Sequence, residues 1–134
     1  MSELAHEIVE SDDFWCGEGV DVRRLAIYKI ELKRQNLPEL PEAFAAFCKE
    51  CNGVRGSGSC LWGLNPDGPF EDILTENLRL EMAGSGALIL GYNDLDYLFY
   101  DAELARYQTR DKDSLELAAE FSDWEEAVAE ILQL

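Results

Sequence analysis

"ALILGYNDLDYLFY", residues 87–100, decides the fold class. Two short runs of aliphatic and aromatic residues flank Asn93-Asp94-Leu95-Asp96. Residues of that kind favour tight turns, so the spacing predicts a hairpin of strands 87–92 and 97–100. Strand alternation places Tyr97 and Phe99 on one face and Leu98 and Tyr100 on the other. Bulky groups on both faces leave one of them free to serve as a binding surface. "ARYQTR" (105–110) continues the pattern as a third antiparallel strand, and "SCLWGL" (59–64) reads as another short strand. "NGVRGSGS" (52–59) reads as a loop and "NPDGP" (65–69) as a tight turn. "FEDILTENLRLEM" (70–82) reads as a helical turn followed by an irregular crossing segment.

Helical patterns lie on either side of these strands. "SELAHEIVES" (2–11) has Leu4 and Ile8 on one side. "DVRRLAIYKIELKRQ" (21–35) carries a loose stripe of Val22, Leu25, Ala26, Lys29 and Leu32. Flanks rich in Arg, Lys and Glu favour helix there, while Ile27 and Ile30 lie off the stripe and leave a strand reading open. Ser122 to Glu125 has capping-box spacing, with Phe121 as a staple. Trp124, Ala127, Val128, Ile131 and Leu132 then form one apolar face. The whole predicts an α+β fold, a central antiparallel sheet flanked by N-terminal and C-terminal helices, in a single domain over 1–134. With 134 residues and a hydrophobic fraction of 47%, the chain has enough apolar surface for a core.

"LPELPEAFAAFCKECNG" (37–53) poses the chemical question, because it holds Cys48-x-x-Cys51. Pro41 suits a first helical position. Phe44, Phe47, Cys48 and Cys51 then share one helical face, and Asn52-Gly53 suits the helix end. A structural zinc site wants four ligands, and Cys16, Cys60 and His6 lack companions at ligand spacing. A redox pair works best at a helix N-terminus, whereas this motif closes a helix. Core packing of two thiols is therefore the favoured reading, with thiol-based metal binding as the alternative.

Charge narrows the partner. Lys plus Arg number 11 and Asp plus Glu 28, giving a net charge of −17. Residues 1–60 carry −4 of it and residues 61–134 carry −13. Such a field repels nucleic acid and anionic membranes and favours a basic protein partner. No run reaches the roughly 18 apolar residues of a membrane span. The N-terminus is acidic where a signal peptide is basic and then apolar, so a cytoplasmic location with reduced thiols is expected.

No catalytic constellation emerges. "RGSGS" lacks the Lys of a phosphate loop, and the lone His6 offers little to a nucleophile. The acids beside the turns, Asp67, Glu71, Asp72, Asp94 and Asp96, are the candidate partner contacts, each with an ordinary alternative as a solvated turn residue. Aromatic anchors among Trp62, Tyr92, Tyr97, Phe99, Tyr100 and Tyr107, rimmed by acids, would suit a binder of a basic protein.

Four segments in order also resemble the SUKH (Smi/Knr-like) superfamily, nearest its YrhA-like branch. They are "LPELPEAFAAFCKECNGV" (37–54), "LWGL" (61–64), "LILGYNDLDYLFYD" (88–101) and "FSDWEEAVAEIL" (121–132). Residues 1–36 fall outside the match. The family's helix usually carries a large aliphatic and an aromatic residue where Cys48 and Cys51 stand here. The resemblance implies an α+β fold, no catalysis, no cofactor and a protein-binding role. Many bacterial members are immunity proteins that neutralise a cognate toxin, often a nuclease; others are regulators. A cytoplasmic regulatory or scaffold protein binding an endogenous partner is thus the second expectation.

Overall fold

The computed structural model describes residues 2–67 and 71–134. Among them the chain forms α1 (Glu3–Glu10), β1 (Trp15–Glu18), α2 (Val22–Arg34), α3 (Glu42–Cys48), β2 (Cys51–Arg55), β3 (Cys60–Leu61), α4 (Ile73–Arg79), β4 (Ala87–Tyr92), β5 (Asp96–Asp101), β6 (Arg106–Asp111), β7 (Leu117–Phe121) and α5 (Trp124–Leu132). The strands build one sheet in the order β1 to β7, with every neighbouring pair antiparallel. The class is α+β, with an open sheet whose edges are β1 and β7.

The hairpin forms as its sequence suggests. Asn93 accepts from the backbone N–H groups of Leu95 and Asp96 at 3.0 and 2.8 Å, which closes the turn. Across β5 and β6, Tyr100 stands opposite Tyr107, and their rings are 5.2 Å apart. On this face α5 lays Trp124 against Tyr107, Phe44 and Phe47 at 5.5, 5.6 and 5.7 Å. All five residues of the expected α5 stripe are buried. The helix is capped by Asp123, one residue after the Ser122 of the capping-box reading; its side chain accepts from Glu126 N–H.

Several expectations are corrected. The buried stripe of α2 is Leu25, Tyr28 and Leu32, while Val22, Ala26 and Lys29 are exposed. Pro41 caps α3 from outside the helix. That helix stops at Cys48, so Cys51 lies on β2 and not on the helical stripe. The cause is local: Val20 N–H captures the Cys48 carbonyl at 2.9 Å. Gly19 permits this approach, since a Cβ there would fall 2.0 Å from the Lys49 carbonyl oxygen. The loop read at 52–59 shrinks to residues 56–59, because β2 runs to Arg55. The strand read over 59–64 is only Cys60–Leu61, with Gly63 bridging to Asp72. The turn read at 65–69 lies partly outside the described residues, as does Phe70 at the head of the segment that contains α4.

The cysteines divide. Cys16 and Cys51 form a disulfide across β1 and β2, with Cα atoms 5.5 Å apart. This corrects the reading of Cys51 as a packed thiol, because β1, unforeseen in the sequence, brings Cys16 beside it. Cys48 and Cys60 are buried free thiols. One buried cluster, running from Leu4 on α1 to Leu132 on α5, includes the sulfurs among its members.

Candidate functional site

The five candidate acids do not converge on one spot. Asp72 is buried and serves the fold. One carboxylate oxygen accepts from Tyr28 Oη and from Asn65 N–H at 2.9 Å. The other accepts from the Thr75 N–H and hydroxyl at 3.0 and 2.9 Å, capping α4. With its lone pairs used internally, it has little left to offer a partner.

Glu71, next to it, is the centre of a half-exposed network. It takes Arg55 at 2.7 Å, the Tyr92 hydroxyl at 3.1 Å and the Cys60 thiol at 3.5 Å. Burial works to raise the Glu71 pKa, but its backbone hydrogen bond, Arg55, Cys60 and Tyr92 together hold it below the ordinary value. Burial, with the Glu71 carboxylate alongside, pushes the Cys60 thiol up to about 12. A thiol so held is not a nucleophile at neutral pH.

Asp67 is exposed in the turn after β3. Asp96 is half-buried at the start of β5, opposite Asp111 on β6. Asp94 is exposed at the hairpin tip and has the most suggestive surroundings. It lines a cleft of about 740 Å³ together with Glu7, Asp12 and Asp13 from α1 and the segment after it. Ser57 to Ser59 and the chain end at Leu132 to Leu134 complete the walls. Gly58, at φ 104°, makes room for this arrangement: a Cβ there would meet Asp94 Oδ1 at 2.8 Å. The cleft thus gathers four carboxylates from segments far apart in sequence. Glu7, Asp12 and Asp13 were missed as site residues. The acid run at 10–13 was visible, but only the fold brings it beside the hairpin.

The second face of the sheet carries Tyr92, Tyr97 and Phe99 of the expected aromatics, and they are capped by the chain's own cations. Arg110 lies over Phe99 at 4.8 Å, and Lys112 over Tyr92 at 4.5 Å. Elsewhere, α2 departs from the acidic character: Arg23, Arg24, Lys29, Lys33 and Arg34 all lie on it. No described helix is long and apolar enough to cross a membrane.

No protein-family model matches the chain, and no curated protein sequence matches it.

Proposed function

We propose that this chain is a non-catalytic protein-binding module that recognises a basic partner, and that it is a SUKH-like immunity protein acting on a cognate bacterial toxin. The observation that carries the reading is the acidic cleft of Glu7, Asp12, Asp13 and Asp94 within a molecule of net charge −17. A surface that holds phosphate backbones must be basic, so an acidic protein that covers a nuclease competes with substrate on electrostatic terms. Asp94 is the candidate acid this reading keeps at the centre; Asp67, Glu71 and Asp96 are not among the residues that line the cleft. The α+β architecture of the described residues, five helices and a seven-stranded sheet, is compatible with a SUKH-like chain.

Its place of action would be the cytoplasm, where a nuclease meets its target. Disulfides are rare in that compartment, so the Cys16–Cys51 pair would be held there as thiols; Cys16 is its more accessible half. A regulatory protein of the same fold would use the same acidic surface on an endogenous basic partner. Gene context separates the two. We expect a flanking gene that encodes a basic, toxin-like C-terminal domain, and growth rescue when the two are co-expressed. Growth arrest that persists despite full expression of this chain would remove the immunity reading.

A further inference from the structure

Lys112 occupies a place built for a cation. It follows β6, and its backbone N–H donates to the Leu95 carbonyl at 3.0 Å, which fixes the base of the turn. Its ammonium stands 4.5 Å from the Tyr92 ring centroid and 5.8 Å from that of Tyr97. Beside it opens a pocket of about 220 Å³, lined also by Trp62, Glu71, Glu76 and Arg79. Arg79 is already paired with Glu76 at 2.8 Å. Lys112 itself makes no ion pair among the described residues, so the rings are its main hold. One of the lining residues also holds a buried polar group without a partner among the described residues. Trp62 is 2% exposed, and its indole N–H has no hydrogen-bond partner among the described residues.

We propose that Trp62, Tyr92, Tyr97 and Glu71 form a cage for an Arg or Lys side chain of a basic protein partner, and that Lys112 is its resident stand-in. The inference rests on the basic-partner reading above and names one contact of it. Tyrosine faces attract cations through their ring quadrupole. A guanidinium is the better guest, because it is planar and stacks on the rings. Glu71, already engaged by Arg55, Tyr92 and Cys60, adds negative charge beside the rings. Lys112 keeps the aromatics covered when no partner is present, and its departure is the local cost of binding. Displacement is a competition, so deleting the stand-in should raise the affinity for a free cation.

The test uses N-acetyl-arginine methylamide as the probe and the neutral citrulline amide as its control. The readout is the Trp62 indole resonance in a proton–nitrogen correlation spectrum. In Lys112→Ala the arginine amide should shift this resonance at a concentration about tenfold lower than in the unaltered protein. The citrulline amide should leave it in place. If alanine disturbs the turn, as judged by amide resonances remote from it, Lys112→Gln replaces it with the same expectation. Equal responses with and without Lys112, no response in either, or an equal shift by citrulline would each overturn the proposal. Those failures would leave the salt dependence of partner association untouched. A salt-independent association would remove the basic-partner reading without affecting this titration.

Discussion

Two buried asparagines do the work that strand pairing leaves undone. Asn77 is fully buried on α4; its amide donates to the carbonyls of Ile73 and Ile89 and accepts from Ile89 N–H, each at 2.8 Å. Asn52 treats Leu64 alike, accepting at 2.7 Å and donating at 3.1 Å. Each amide imitates a missing backbone neighbour. Replacing Asn77 with leucine strands two groups of Ile89, and we expect a loss of roughly 2–4 kcal/mol in urea unfolding. Glu71 gives a prediction in pH. Its folded pKa lies below the ordinary value of 4.5, so the folded state holds the anion more firmly than the unfolded chain does. That contribution is present above the ordinary value and is lost as pH falls through the lowered one. The stability advantage of the native protein over Glu71→Gln should therefore shrink between about pH 7 and about pH 3. An advantage that grew towards acid would show the sign to be wrong.

At the scale of elements, the sequence was most legible where apolar spacing was regular. The β4–β5 hairpin, β6 and the α5 stripe follow directly from alternation and from 3.6-residue periodicity. The edges were not legible. β7 reads LAAEF with Leu117, Ala118 and Glu120 exposed, so nothing in its pattern demands a strand. β1 is four residues with a bulge at Gly17, and it exists as a partner of β2. Missing β1 meant missing the disulfide, because helical spacing gave Cys51 a packing role and left Cys16 without a neighbour. The bond closes a 35-residue separation. By chain-entropy reasoning it stabilises by about 3–4 kcal/mol. Cys16→Ser should lose most of that under oxidising conditions and little in the presence of dithiothreitol. A thiol titration of the unreduced, denatured native protein should find the Cys48 and Cys60 thiols alone. Four thiols there would contradict the pairing.

For the molecule as a whole, the charge was legible at once and its arrangement was not. Composition yields −17, yet only the fold places Glu7, Asp12 and Asp13 beside Asp94; the five cations of α2 already stand together in the sequence. Turn position also proved a poor guide to exposure, since Asp72 turned inward to cap α4 while Asp94 stayed at the surface. The central claim is that this acidic surface draws in a basic partner. Exposed charges act over about 8 Å at physiological salt, so their attraction weakens steeply as salt rises. The decisive measurement is the association rate with the basic domain that the proposal expects beside this gene, followed by stopped flow from about 20 to about 300 mM salt. The rate should fall by roughly tenfold or more across that range, and Asp94→Asn should lower it at the low-salt end. A rate that stays flat with salt would contradict the claim.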